Sequence, residues 1–458
     1  MTAFIGNSYL QKTSLAQLTN WSVRYLLETS FSYNEKFDLA PIGSFLKRRR
    51  DIIHVQDEVE YQQVTVKING NGVEERDWKF GKDIGTKRQY RASAGQFIMS
   101  KIDARNGAFG IVPEELDGAM VTNDFPVFDI DTEKILPQFF VLLTSTKEFI
   151  SFAQSCSSGT TNRQRIDLEM FLNQTVPLPE KTEQIRILNI YKDFSSRAKG
   201  NRKKVSEMKL RLKSYLFEKV GLEKPKEKDI NGLQFIRYKE ILEWSVDNLL
   251  FNSSFDSKTY PTFSFESDSS LYEELRRGKS PVYDKNSDAI ILNQKCNRWN
   301  EIKLEHARKV KKKWLDGINK NQFTKEGDIL INSTGEGTIG RASYVTNEFE
   351  GLMYDSHMLL LRVNRKKLNP QFIVFLINSE YCQRQINLIK SAQSTNQTEL
   401  GIGNTKKIIF PLLPLDIQNE ISDKLATRYR EIAELKRNAK NNDINAIIAF
   451  KDEIFRGQ

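Results

Sequence analysis

Cysteine, histidine and long apolar runs are all scarce in this chain, and each scarcity removes a class of chemistry. There are 3 cysteines and 3 histidines in 458 residues. Cys156, Cys296 and Cys382 stand far apart with no CxxC pair, which leaves neither a disulfide framework nor a zinc site in view. His54, His306 and His357 are equally scattered and read as surface or hydrogen-bonded residues. No apolar run approaches the roughly 18 residues needed to cross a bilayer. The opening Met-Thr-Ala-Phe-Ile-Gly lacks the charged-then-apolar order of a secretion signal, so the expected location is cytoplasmic. What the chain does have is basic charge. Lysine and arginine total 69 against 59 acidic residues, giving a net charge of +10 and favouring a polyanionic partner such as nucleic acid. With 39% hydrophobic and 28% charged residues, two or three globular cores under a solvated surface are expected.

The chain repeats itself in order. Trp21-Ser-Val-Arg-Tyr-Leu-Leu returns as Trp244-Ser-Val-Asp-Asn-Leu-Leu, 223 positions later. Gly95-Gln-Phe-Ile-Met-Ser, closing on Gly107-Ala-Phe-Gly110, parallels Gly327-Asp-Ile-Leu-Ile-Asn, closing on Gly337-Thr-Ile-Gly340. Leu136-Pro-Gln-Phe matches Asn369-Pro-Gln-Phe, and Thr161-Asn162 matches Thr395-Asn396. Pro177, Gln184 and Ile187 match Pro411, Gln418 and Ile421. Two diverged copies of one module account for this. In each copy short strand-like runs such as Tyr61–Val66 and Asp328–Asn332 come first. A helical stretch follows (about 137–153 and 370–390), opening at a proline, and then a proline-punctuated strand leads into a long proline-free helix.

Those long helices carry apolar seams. In the first, Ile187, Tyr191, Phe194, Ala198, Val205, Met208, Leu212 and Tyr215 recur at spacings of three and four, with Asn201 at the gap. In the second, Ile421, Leu425, Tyr429, Ile432, Leu435 and Ala439 precede an Asn-rich break around 438–445, after which Ile444, Ile447 and Ile454 resume. Two matching seams point to antiparallel pairing of the helices; the alternative is that each packs on its own globular domain. The charged, turn-rich Glu223-Lys-Pro-Lys-Glu-Lys-Asp-Ile-Asn-Gly marks a boundary. The resulting division is 1–180 for the first globular domain, 181–222 for the first helix, 223–413 for the second domain and 414–458 for the second helix.

Catalytic motifs are missing where they are looked for. Gly335-Glu-Gly-Thr-Ile-Gly340 matches GxGxxG, but Arg341-Ala-Ser-Tyr-Val-Thr after it reads as a strand, whereas dinucleotide binding needs a helix start at the glycines. Asn369-Pro-Gln-Phe lacks the second proline of the adenine-methyltransferase Asn-Pro-Pro-Tyr. Gly278-Lys-Ser280 lacks the upstream glycine of a phosphate loop. No Ser/His/Asp or Cys/His set recurs. No catalytic residue and no metal ligand is assigned.

What does recur is polar and basic residues around turns. The first copy offers Lys47, Arg48, Arg49 and Arg50, then Lys87, Arg88 and Tyr90, then Lys101, Arg105 and Asn106. Thr161, Asn162 and Arg163 close that series. The second copy offers Arg276 and Arg277, Asn293, Lys295 and Arg298, and Lys311 and Lys312 within a basic run. Arg341, Thr395 and Asn396 complete it. Arg and Lys neutralise phosphates, while Arg, Asn and Gln read base edges. Taken singly each cluster is an ordinary solvated surface; their recurrence at comparable places makes them regional DNA-binding candidates.

From about Trp21 onward the chain resembles the specificity subunits of type I DNA restriction–modification enzymes. The resemblance rests on Ser100-Lys-Ile-Asp-Ala-Arg-Asn-Gly-Ala-Phe-Gly with Val121-Thr-Asn-Asp, and on Gln294-Lys-Cys-Asn-Arg-Trp with Gly327 to Arg341. The Pro-Leu-Pro and Gln-containing entries to both long helices add to it. It implies an α+β chain of two tandem mixed α/β target-recognition domains, with pseudo-twofold symmetry. The two domains are separated by two long helices forming an antiparallel coiled coil. It implies a phage-defence role in which the two domains read a split, asymmetric site on double-stranded DNA. Two methyltransferase subunits would bring S-adenosylmethionine, and restriction-translocase subunits ATP and magnesium; this chain would bind no cofactor itself. A recognition subunit of a methylation-only or other defence system is the alternative within this class, and a stand-alone DNA-acting enzyme the alternative outside it.

Overall fold

In the computed structural model, residues 33–155, 157–158, 165–222, 255–335, 337–391 and 399–455 are described. The motifs at Trp21 and Trp244, the pairs Thr161-Asn162 and Thr395-Asn396, Arg163, and the boundary at 223–232 lie outside them. The chain divides into two units: residues 1–202 with 437–458, and residues 203–436.

The first unit is built round the strand Phe97–Met99, all three residues of which are buried. Alternate side chains point to opposite faces of a strand. Phe97 and Met99 accordingly enter one apolar cluster with Phe128, Phe140 and Phe171, and Ile98 enters another with Val64, Ala92 and Val121. A four-stranded sheet runs in the order Leu46–Arg49, Val127–Ile130, Phe97–Met99, Phe109–Ile111. A five-stranded sheet runs Ile52–His54, Arg88–Arg91, Met120–Val121, Glu60–Val66, Val73–Phe80. Leu39–Pro41 pairs antiparallel with Thr175–Pro177.

The second unit repeats the four-strand order with Tyr272–Arg277, Met358–Val363, Ile329–Asn332 and Ala342–Tyr344. Ile329 and Ile331 face one cluster and Leu330 another, and Thr262–Ser264 pairs antiparallel with Ile409–Pro411. The accompanying sheet differs: it has three strands, Arg308–Lys309, Ile290–Leu292 and Met353–Tyr354.

Each helical stretch expected after these strands is two helices, not one. Pro137–Thr144 ends where Thr144, Ser145 and Thr146 donate their hydroxyls to carbonyls three residues back, at 2.9, 2.7 and 2.7 Å. Such bonds compete with the helix ladder. Lys147–Ser155 then restarts, with the Thr146 hydroxyl accepting the Phe149 N–H at 3.3 Å. In the second unit Pro370–Ile377 and Glu380–Ser391 are broken at Asn378, beside Ser379, whose hydroxyl donates to the Leu376 carbonyl at 2.6 Å.

Two long helices, Lys181–Lys219 and Leu415–Ile454, each contribute to both units. In the first unit Ile187 and Leu188 share a buried cluster with Phe450 and Ile454, and half-buried Tyr191 packs against it. Glu453 there accepts Arg186 at 2.6 Å and Lys36 at 2.8 Å, and Arg202 pairs with Asp443. Phe194 is half-buried under the Arg197 guanidinium, 5.7 Å from the ring centroid. In the second unit Val205 and Leu212 are buried in one cluster with Ile421, Leu425 and Ile432. Met208, Tyr215, Tyr429 and Leu435 pack against it, and the Lys424 ammonium sits 4.1 Å over the Tyr215 ring.

The Asn-rich stretch at 438–445 does not break the second helix. It continues through to Ile454, and its buried positions there are Ala439, Ala446, Phe450 and Ile454. Ile444 and Ile447, expected on the seam, are exposed at 48% and 37%. The helical phase runs on uninterrupted from Ala439, so counting afresh after a break places the stripe on the wrong face.

Both long helices begin at a buried glutamine. Gln184 accepts the Leu136 N–H and donates to the Lys134 and Pro179 carbonyls, all at 2.8 Å. Gln418 accepts the Asn369 N–H at 2.8 Å and donates to the Leu413 and Lys367 carbonyls at 2.8 and 3.1 Å. Each carboxamide locks the helix to the start of the shorter helix beside it. Gln184→Leu orphans three backbone groups that cost about 1–3 kcal/mol apiece when buried unpaired, so a loss of about 3 kcal/mol or more is expected. Hydrogen exchange on the full chain should place the loosening in the first unit for Gln184→Leu and in the second for Gln418→Leu; changes under about 0.5 kcal/mol would contradict the assignment.

Candidate nucleic-acid interface

The connections after the middle strand of each four-stranded sheet gather cations. In the first unit Lys101 follows Phe97–Met99, and its N–H donates to the Asp124 carbonyl at 2.8 Å. Arg165 grips the Asp124 carboxylate with two bonds of 3.0 Å, and Arg48 donates to the Asn123 carboxamide at 3.0 Å. Arg48, Arg49, Arg50, Tyr90, Thr122 and Asn123 line one small cleft. Burial and the nearby Arg50 hold the Arg48 guanidinium below its ordinary range. Burial likewise lowers Lys101, with Arg48 the largest charge effect and Arg165 and Arg50 adding to it, while Asp124 opposes them. Several cations thus crowd one carboxylate, and a polyanion would relieve them.

The other candidates in this unit are placed elsewhere. Lys87 is tied down by Asp57 at 2.6 Å and the Gly81 carbonyl at 2.7 Å. Lys47 and Arg88 are exposed on their strands. Arg105 and Asn106 lie in a tight 3₁₀ turn closed by Gly107 at φ 77°, where the Asn106 carbonyl accepts the Asn69 N–H at 2.8 Å. That turn is a fixed support for the hairpin 67–72.

In the second unit the candidates separate by whether a carboxylate already answers them. Arg276 pairs with Glu274 and donates to the Tyr354 hydroxyl at 2.9 Å; Arg277 pairs with Glu399 and donates to Ser333 at 3.1 Å. Asn293 is buried and donates to the His306 carbonyl at 2.6 Å, shaping the turn on which exposed Lys295 rides. Arg298, in the hairpin Asn297–Arg298/Glu301–Ile302, donates to His306 Nε2 at 2.9 Å. Arg341 lies 5.5 Å from the centroid of Trp299, whose indole is 46% exposed. Lys311 and Lys312 are exposed at the entry of the short helix Lys312–Asp316, close in sequence to Arg308, which sits 4.0 Å over the Tyr283 ring.

Arg165 and the Asn123-Asp124 pair escaped the sequence reading as site residues, and Trp299 entered it only as the end of the cluster Asn297-Arg-Trp299. Arg165 stands one residue beyond the polar run at 160–164, and Trp299 stands between Arg298 and Asn300 as an aromatic among basic and amide residues. Its surroundings were the available signal.

The remaining motifs resolve into structure. After Gly335, Gly337 and Gly340, at φ 92°, 71° and 80°, the chain enters the strand Ala342–Tyr344, so no helix N-terminus faces these glycines. Asn369 caps its helix by accepting the Phe372 N–H at 2.9 Å. Among the described residues no group of three or more His, Cys, Asp and Glu side chains could hold a metal ion, and no helix is long and apolar enough to cross a membrane.

The model of the type I restriction modification DNA specificity domain matches residues 54–208 and 258–446, and the chain belongs to this family. It is 29% identical over 101 residues to a Methanocaldococcus jannaschii chain described as the specificity subunit of a type I restriction enzyme, MjaX, covering 22% of this chain and 24% of that one. It is 29% identical over 112 residues to the HindI type I specificity subunit of Haemophilus influenzae, covering 24% of each. These alignments span about a quarter of the curated relatives' length. A chain solved in a study of complex assembly and conformational transition of the type I R-M system superposes with a TM-score of 0.54 at 14% identity. That match covers 92% of this chain and 98% of that one. At that identity the likeness is one of fold.

The Arg165 hydrogen bonds hold the Asp124 carboxyl below its ordinary range. A carboxyl whose folded value lies below its unfolded one adds stability that is complete at neutral pH and lost as pH falls through the folded value. Asp124→Asn should therefore speed exchange of the Ile166 amide, which donates to the Lys101 carbonyl at 2.9 Å. The difference from wild type should close as pH falls below the ordinary carboxylate range. A difference that persists in acid would show that the ion pair is not its source.

Proposed function

We propose that this chain is the sequence-specific DNA-binding subunit of a type I restriction–modification complex, reading a bipartite, asymmetric site with one unit per half-site. The observation that carries this is a cluster of cations beside the same connection in two sheets of the same strand order, set in surfaces that otherwise differ. The cations are Lys101 with Arg48 and Arg165 in one and Arg341 with Arg298 in the other. One neighbouring sheet has five strands and the other three. A shared frame suits a shared task, and differing surfaces suit different base sequences; a palindromic site would call for like surfaces. The two units are then diverged copies, target-recognition domains at 1–180 and 223–413. The long helices 181–222 and 414–458 form the antiparallel coiled coil between them. Support for the pairing comes from Val205 and Leu212 sharing a cluster with Leu425 and Ile432, and Ile187 with Phe450.

The chain acts without a catalytic centre of its own. Methyl transfer belongs to two methyltransferase subunits carrying S-adenosylmethionine, since reaching an adenine in a duplex means flipping it out. Translocation and cleavage belong to restriction subunits using ATP and magnesium.

Methylome sequencing of a strain carrying the system should return an asymmetric split motif, and a symmetric one would contradict the reading. Exchanging residues 21–180 for those of another family member should change one half of the motif only. The purified chain, given S-adenosylmethionine, ATP and magnesium without partners, should neither methylate nor cut DNA. Turnover surviving rigorous removal of contaminating enzymes would overturn the subunit role.

A further inference from the structure

We propose that Arg298 and Arg341, aligned by Trp299, form a clamp for one DNA phosphodiester that sets the register of the second unit. The proposal rests on the DNA-binding reading above and assigns a ligand class to particular side chains. Arg341 emerges from the glycine turn 335–340 directly before the strand Ala342–Tyr344. One of its Nη atoms donates to the Gly337 carbonyl at 2.8 Å and its guanidinium carbon lies 5.5 Å from the centroid of the Trp299 ring. Trp299 is presented by a two-residue turn that needs a left-handed residue at Asn300, φ 62°. Arg298 starts that turn. A guanidinium has no acceptor, so its 2.9 Å contact makes His306 Nε2 the acceptor. Glu305 approaches that same imidazole nitrogen at 3.4 Å, but neither guanidinium forms an ion pair among the described residues.

Three arginines on the strands of the four-stranded sheet set the contrast. Arg276, Arg277 and Arg362 are each answered by a carboxylate: Glu274, Glu399, and Asp328 at 2.7 Å. Arg298 and Arg341 are instead oriented by a carbonyl, an indole face and an imidazole, all neutral. Burial and the neighbouring Arg298 both depress the Arg341 guanidinium. Two like charges held together by neutral groups leave a deficit of full negative charge, which a phosphodiester supplies and a base edge, with only partial charges, does not. The carbonyl bond and the cation–π contact restrain one fork, so less freedom is lost when it closes on the anion. The first unit carries a matching excess beside the equivalent connection, where Lys101 of that connection lies with Arg48 and Arg165 from other strands near Asp124.

The test uses the chain assembled with its methyltransferase subunits, a duplex bearing the motif the complex methylates, and a scrambled duplex. Arg298→Gln and Arg341→Gln should each reduce the slope of log affinity against log salt by about 0.9. Each should weaken both duplexes alike and leave their ratio unchanged. Wild type should thus lose about three- to fourfold of its advantage over either variant between 50 and 200 mM salt. Arg341→Lys and Arg298→Lys keep the charge and should restore the slope, which a merely structural role would not do. An unchanged slope overturns the clamp. So does an intact slope with discrimination lost at a single base pair, which marks a base-reading arginine. A wild-type complex that fails to prefer its methylated motif overturns the DNA-specificity reading itself.

Discussion

The core of the first unit is closed by the far end of the chain. Phe450, Ile454 and Phe455 are buried against side chains from the first two hundred residues, with the Phe450 ring 5.7 Å from Phe139 and the Phe455 ring 5.4 Å from Tyr33. Burying a large apolar side chain is worth about 1.5–3 kcal/mol, so these three together weigh about 5–9 kcal/mol. That is the size of a whole domain's net stability. They belong to the largest apolar cluster of this unit. Glu453 strengthens the closure, its carboxyl pulled down to about 2 by Arg186 and then Lys36. The tie holds at all but strongly acid pH and is lost as pH falls through that value.

The long helices have no such freedom of partner within either unit. A stripe of Ile, Leu and aromatic residues three and four apart must be covered, and in each unit a segment of one long helix shares a buried cluster with a segment of the other. The glutamines at 184 and 418 then fix where each helix begins, because three backbone groups at each would otherwise be left without partners. Direction comes from hydrogen bonds, and affinity from the apolar stripe.

Much of this was legible in the sequence because it depends on spacing. The matched positions Gln184 and Gln418 turn out to make equivalent bonds, so the repeat marked the places although not the burial. The proline-led helices, the strand after Gly340 and the proline-free helices were equally readable. The end of the second helix was not. Its buried face runs from Ala439 through Ala446 to Phe450 and Ile454, and Ala446 is too small to register as a stripe, while Ile444 and Ile447 offer a stronger but misleading pattern on the solvent side. The halving of the shorter helices was hidden too, since it turns on whether hydroxyls at 144–146 bond back to the helix or outward. At the site, sequence marks where cations lie but not which are already neutralised. Arg276 and Arg341 look alike in the chain. One meets Glu274 two residues back on its own strand and the other meets the indole of Trp299, a pairing that only long-range folding decides.

Because its core waits on residues near 450, the first unit cannot finish folding as it leaves the ribosome. From residue 203 to residue 450 lies a further stretch of roughly 250 residues, which takes about 10–50 s to synthesise at 5–20 residues per second. Throughout that interval Phe139, Ile187 and their neighbours lack their cover, while the second unit, continuous from 203 to 436, is complete before Phe450 is added. The order of maturation therefore runs against the order of synthesis. The first-made half is the last to set, and it is the half that chaperones and proteases meet open.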